Sequence, residues 1–159
     1  AIVDAITKVR WPGRLELVKI SPKRNLLLDP AHNVAAAAKL SAYINQWRPQ
    51  GLPFVFSALR DKDVSGILRA LDNAITHIVC TSINSSRAQS LEQLTQTVRE
   101  IRPDISLDAN KNLSKALDLC WNKGPLAVVT GSVFLVGAVR ETLALDDQDS
   151  NTSLPHMYN

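Results

Sequence analysis

The sequence predicts a three-layer α/β sandwich, a mostly parallel sheet with helices on both faces. Two observations predict it. First, four short and continuous apolar runs punctuate the chain: Leu26-Leu27-Leu28, Phe54-Val55-Phe56, Ile78-Val79-Cys80 and Ala127-Val128-Val129. Runs without polar alternation suit strands covered on both faces, as in a parallel sheet between helix layers. Second, the segments between and after these runs are apolar at helical spacing. Strand–helix alternation of this length implies right-handed crossovers that place helices over a common sheet.

Taken in order, residues 1–13 read as the remnant of a linker, leading through Trp11-Pro12-Gly13 into an edge strand at Leu15–Ile20. Ala37, Leu40, Ile44 and Trp47 form the first helical stripe, and Val64, Ile67, Leu68 and Leu71 the second. Leu91, Leu94, Val98 and Ile101 form the third; Leu113, Ala116, Leu117 and Cys120 the fourth; Leu135, Val136, Val139 and Leu143 the fifth. Asn33 and Asp61 are placed to cap helix starts, and Ser90 with Gln93 fits a capping box. Pro49 and Pro103 fall just past two helix ends, where a residue that cannot continue the ladder belongs. The domain proper is expected over residues 14–145, followed by a polar tail over 146–159 that carries Asp146, Asp147 and Asp149.

Composition narrows the function classes. A chain of 159 residues can bury one ordinary core without metals or disulfides. The net charge of +3 is too mild to argue for nucleic acid. The basic residues crowd one end, at Lys8, Arg10, Arg14, Lys19, Lys23 and Arg24, but no aromatics interleave with them. That cluster reads equally well as a solvated surface or an anion-binding patch. Cys80 and Cys120 sit among apolar neighbours and read as small core residues in a reducing cytosol. With no run of about 20 apolar residues and no signal-peptide pattern, a soluble, cytoplasmic protein is expected, without membrane partners.

In an open parallel sheet, ligands gather beyond the carboxyl ends of the strands. That rule selects Asp29-Pro30-Ala31-His32-Asn33, the segment from Ser57 to Asp63, the segment from Ser82 to Ala88, and Thr130-Gly131-Ser132. These loops are richer in ionisable and hydroxyl groups than the strands feeding them, which describes a site for something charged. Each piece also has a plain structural reading. Asp29 can cap a turn, and His32 can be a surface imidazole. Asp61 and Asp63 can complement a helix dipole, Arg87 can be solvated, and Thr130-Gly131-Ser132 can be a tight turn that binds nothing. The sequence contains no Gly-x-x-x-x-Gly-Lys-Ser/Thr phosphate loop, no Gly-x-Gly-x-x-Gly fingerprint, no zinc-spaced Cys/His cluster and no Gly-x-Ser-x-Gly elbow. A domain with such loops but no phosphate loop is suited to completing a site on another domain.

The ordered motifs resemble one family. Trp11-Pro12-Gly13-Arg14-Leu15-Glu16 resembles the opening of the C-terminal domain of folylpolyglutamate and dihydrofolate synthases. Leu28-Asp29-Pro30-Ala31-His32-Asn33 resembles that family's Asp-Gly-Ala-His-Asn box. Asp61-Lys62-Asp63 resembles its Asp-Lys-Asp box, Ser86-Arg87-Ala88 its Pro-Arg-Ala segment, and Thr130-Gly131-Ser132 its Thr-Gly-Ser turn. The resemblance runs from Trp11 to Leu145. It implies a Rossmann-like fold of the Mur ligase C-terminal type that works with an N-terminal, ATP-binding domain. There ATP and magnesium are held mostly by that other domain, a folate carboxylate is phosphorylated, and the amine of glutamate attacks the acyl phosphate. The partners implied are that domain, glutamate, and folate or dihydropteroate.

By the same resemblance, Arg14 is expected to contact the ATP phosphates and Asp29 the ribose side. His32, with Asn33 behind it, is expected to approach the phosphates, and Ser132 with Thr130 to lie near the incoming glutamate. Arg14 and His32 are the expected catalytic residues. Lys62, Asp63 and Arg87 are expected to order loops. Two positions depart from the family pattern. Pro30 replaces Gly, so a loop relying on that N–H or on a positive φ would change shape; Ser57 stands where Gly is frequent. The fragment is expected to fold alone and to catalyse nothing. Two other readings remain: another Mur-type amino-acid ligase, or a stand-alone α/β binding module.

Overall fold

A computed structural model describes residues 14–145; the linker reading of residues 1–13 and the tail reading of 146–159 lie outside them. The sheet has six strands: β1 (Glu16–Ser21), β2 (Arg24–Leu28), β3 (Leu52–Phe56), β4 (Ile75–Cys80), β5 (Ser106–Ala109) and β6 (Leu126–Thr130). Their spatial order is β1-β2-β6-β3-β4-β5, with β1 antiparallel to β2 and every other pairing parallel. Five helices connect or follow them: α1 (Val34–Trp47), α2 (Val64–Leu71), α3 (Leu91–Ile101), α4 (Leu113–Trp121) and α5 (Val133–Thr142), with a 3₁₀ turn at Asp72–Ala74.

Topology dictates the layers. From β2 through β3 and β4 to β5 the chain progresses in one direction across the sheet. It then returns to insert β6 between β2 and β3. A right-handed crossover that reverses direction must carry its helix over the opposite face. Accordingly α1, α2 and α3 pack on one face with Leu27, Phe54, Phe56, Ile78, Cys80 and Val128. Helices α4 and α5 pack on the other, with Leu26, Leu28, Val55, Val79, Ala127 and Val129. Consecutive residues of each apolar run thus feed alternate layers, which is why the runs are continuous. Phe54 and Phe56 are fully buried in β3; full burial of such a side chain is worth about 1.5–3 kcal/mol. Cys80 and Cys120 lie in different layers and are both free; burial pushes each thiol up to about 12.

The caps differ from expectation in one place. Asn33 caps α1, its Oδ1 accepting from Ala36 N at 2.8 Å, and Ser90 and Gln93 form the expected capping box on α3. The cap of α2, however, is Asp63 rather than Asp61, with Oδ1 accepting from Gly66 N at 3.0 Å. Asp63 immediately precedes the first apolar residue of the stripe, so it alone is in register to reach the free N–H groups. β5 had no counterpart in the expected elements. It is an edge strand whose sequence, Ser-Leu-Asp-Ala, carries no apolar run.

β5 is held to β4 by a buried histidine. His77 is 3% exposed; Nδ1 lies 2.7 Å from Ser106 Oγ and Nε2 3.0 Å from Asp108 Oδ2, the latter a close approach rather than an aligned hydrogen bond. Burial lowers the His77 pKa below 6.5, reinforced by Lys123 and opposed by Asp108. A histidine with a depressed native pKa binds fewer protons when folded than when unfolded. Its contribution is therefore present above pH 6.5 and is lost as pH falls through the native pKa. Urea midpoints are expected to fall between pH 7 and pH 5, with His77→Gln flattening that fall; an unchanged slope in His77→Gln would contradict this assignment.

Candidate active site

Three of the polar loops meet where β6 is inserted. The loop after β2 turns at Asp29. Its Oδ1 accepts from Ala31 N at 2.9 Å and its Oδ2 from Leu15 N at 3.1 Å, so one local and one remote donor orient the carboxylate. Pro30 occupies the middle of this turn at no loss, because the donor used is that of Ala31 and φ at Pro30 is not positive. With proline in place, the turn is made without an N–H or a positive φ at that position. Burial raises the Asp29 pKa, while the two backbone donors, Arg14 and His32 act in the opposite direction. Arg14 itself is exposed at the start of the described residues.

His32 is half-buried, and its Nδ1 lies 2.9 Å from the Pro30 carbonyl. A carbonyl only accepts, so Nδ1 carries the hydrogen, and in the neutral ring Nε2 keeps its lone pair. Facing His32 from the neighbouring loops are Leu59 and Lys62 after β3, and Gly131, Ser132, Val133 and Phe134 after β6. Together they line a cleft of about 160 Å³. Ser132 caps α5, its Oγ accepting from Phe134 N at 3.0 Å. A ten-residue helix thus presents its positive end to a cleft lined also by Lys62, whose Nζ lies 3.7 Å from Asp61 Oδ2. The arrangement suits an anionic ligand with an apolar part, since Leu59, Val133 and Phe134 supply wall area beside the charges.

The remaining expected residues fall elsewhere. Asn33 spends its Oδ1 on the α1 cap. Thr130 is fully buried as the last residue of β6 and is not among the cleft-lining side chains. Arg87 stands over the Phe134 ring with its guanidinium carbon 5.9 Å from the centroid. The loops after β3 and β4 are tied together by a bridge between Leu59 and Ala88, by Arg60 N donating to Arg87 O at 2.8 Å, and by the Arg60 guanidinium donating to Ser86 O at 2.8 Å. The wall residues Leu59, Val133 and Phe134 were not among the expected site residues. Val133 and Phe134 had a signal in the sequence: they fall off the buried stripe of α5 and are 59% and 49% exposed.

The pattern of the family described as dihydrofolate synthetase, C-terminal domain, matches residues 14–144. The chain belongs to that family. A dihydrofolate synthase/folylpolyglutamate synthase of Mycobacterium tuberculosis is 31% identical over 165 residues, covering 93% of this chain and 34% of the relative. A probable dihydrofolate synthetase of Schizosaccharomyces pombe is 26% identical, covering 91% of this chain and 37% of its own length. Among solved structures, Mycobacterium tuberculosis folylpolyglutamate synthase complexed with ADP and AMPPCP superposes with a TM-score of 0.76 at 33% identity, over 87% of this chain and 34% of that one. The Yersinia pestis bifunctional enzyme complexed with AMPPNP and Mn gives 0.72 at 27% identity, over 87% and 32%. The chain therefore spans about a third of the length of these synthetase-family relatives, and its sandwich is of the Mur ligase C-terminal type. No helix of the described residues is long and apolar enough to cross a membrane.

Proposed function

We propose that this chain is the C-terminal domain of an ATP-dependent ligase that joins L-glutamate to a folate or to dihydropteroate, working in the cytoplasm against an N-terminal, nucleotide-binding domain of the same protein. The observation that carries this reading is the convergence of His32, Lys62 and Ser132, from three separate loops, on one cleft beside Asp29, in a chain of the synthetase family. When bound, ATP supplies the phosphoryl group that activates the acceptor carboxyl. This chain's residues bind and orient. Arg14, exposed beside Asp29, is assigned to the phosphates, where a guanidinium stabilises developing negative charge without proton transfer. Asp29 is assigned to the ribose side, with its carboxylate fixed by two backbone donors. His32, with Asn33 behind it, is assigned to the phosphate region and Ser132 to the incoming glutamate, whereas the expected partner of Ser132, Thr130, is fully buried and does not line the cleft.

Holding amine and acyl phosphate together between two domains makes the attack an oriented, effectively unimolecular step, and closure shields the activated carboxyl from water. Among the described residues no group of three or more His, Cys, Asp or Glu side chains is placed to hold a metal ion. On the family resemblance, magnesium is assigned mostly to the nucleotide domain. The chain alone is expected to turn over nothing, because its sequence lacks a phosphate loop. Assaying the purified 159-residue chain beside the ligase that carries it, with ATP, glutamate and folate acceptors, tests both statements. Ligation is expected from the ligase only. Turnover by the chain alone would overturn its dependence on a second domain, and no ligation by either would overturn the substrate assignment.

A further inference from the structure

We infer that the buried ion pair between Glu16 and Arg140 is a positioning device for the Asp29 carboxylate, acting through the backbone of Leu15. Arg140, in the last turn of α5, places Nη1 at 2.7 and 2.8 Å from the two carboxylate oxygens of Glu16, the first residue of β1, 124 residues away in sequence. Both side chains are largely withdrawn from water, at 15% and 6% exposure. Taking two charges out of water offsets most of their attraction, so such a pair contributes more to fixing one conformation than to stability.

The conformation it fixes is unusual. Leu15, the neighbour of Glu16, has φ of +45°, one of only two non-glycine residues with positive φ among those described. A branched residue stays in that region only where its surroundings over-determine it. On one side Leu15 is followed by Glu16, held both by Arg140 and by its pairing with Leu28 in the sheet. On the other it is preceded by Arg14, whose charge acts on Asp29. The consequence of this bent backbone is that the Leu15 N–H donates to Asp29 Oδ2 at 3.1 Å. Without the bend, the carboxylate keeps only its local donor, Ala31 N. Neither Glu16 nor Arg140 lines the cleft; they act through Leu15, and the group they orient is the one assigned to the nucleotide.

The inference rests on the proposed function only for what Asp29 binds. The orientation of its carboxylate is testable on the chain itself. Carbon-detected NMR would follow the titration of the Asp29 carboxyl in wild type, Glu16→Gln, Arg140→Lys and the double variant Glu16→Leu/Arg140→Met. Glu16→Gln keeps the shape but leaves the buried Arg140 charge facing a neutral amide, whereas the double variant replaces both charges with apolar side chains and is the one expected to keep the fold. Loss of the Leu15 donor removes a hydrogen bond that favours the ionised form. The Asp29 pKa is then expected to rise by about one pH unit in Glu16→Gln and in the double variant. Arg140→Lys keeps a positive charge facing Glu16 and is expected to titrate closer to wild type than the neutral variants do. A purely structural pair would lower the melting temperature and leave the titration where it was, so an unmoved Asp29 in either folded neutral variant overturns the inference. In the intact ligase, the same neutral variants are expected to raise KM for ATP about tenfold, which is the kinetic equivalent of one such bond. If the wild-type ligase shows no ATP-dependent turnover, the proposed function falls while the titration result stands.

Discussion

Gly131→Ala is expected to cost at least about 3 kcal/mol of stability, placing it in the severe tail of single substitutions. Gly131 lies between β6 and α5 with φ of +110°, a backbone conformation that side-chain-bearing residues rarely adopt. A Cβ built there would stand 2.1 Å from the backbone oxygen of Ser57 and 2.7 Å from a ring carbon of Phe56. Neither neighbour can step aside. Ser57 is fully buried at the end of β3, and Phe56 is a fully buried member of the core beneath it. The clash therefore has to be relieved by the turn, which carries Ser132 and the start of α5 into the cleft. Gly137 is the internal control. It sits within α5, and a methyl group added there would meet nothing within 4 Å, so Gly137→Ala is expected to stabilise by about 1 kcal/mol through helix propensity alone. Urea unfolding of both variants gives opposite signs if this reasoning holds; a Gly131→Ala protein as stable as wild type would contradict it.

The difference between these two glycines is not visible in the sequence, whereas most of the fold is. All five helical stripes became helices because each was defined by several large apolar residues at consistent spacing, and the four apolar runs became the central strands. β5 escaped because an edge strand covered on one side needs no apolar run. The α2 cap was misplaced because two aspartates two residues apart both satisfy a composition rule, and only the register of Val64 separates them. The site was legible to the extent that it obeys the strand-end rule: Asp29, His32, Lys62 and Ser132 stand where that rule puts them. Of its apolar walls, Leu59 resembles a core residue when viewed alone, whereas Val133 and Phe134 fall off the apolar stripe of α5 and so carried a signal. The Leu15–Asp29 bond and the Glu16–Arg140 pair join residues 14 and 124 positions apart, and no periodicity links such distances.

On the proposed function, ligase chemistry is served at the carboxyl edge of this sheet, through Asp29 and His32. Asp29 is the only carboxylate among the described residues that accepts from both Leu15 and Ala31, and its half-buried position beside Arg14 and His32 makes a well-oriented contact difficult to replace with water. Loss of one such contact in the transition state typically lowers turnover by a hundredfold or more. Arg48 provides the opposite-edge control: it follows the C-terminal end of α1 and stacks on Trp47 at 4.2 Å, away from the cleft. The decisive measurement is ATP-dependent transfer of radiolabelled glutamate to dihydropteroate and to a reduced folate by the intact ligase, compared with its Asp29→Ala, His32→Ala and Arg48→Ala variants, each checked for unchanged melting. Transfer to at least one acceptor is expected, lowered about a hundredfold by Asp29→Ala and by His32→Ala and left unchanged by Arg48→Ala. Full activity in folded Asp29→Ala and His32→Ala proteins, or no transfer to either acceptor by the wild-type ligase, would contradict this expectation.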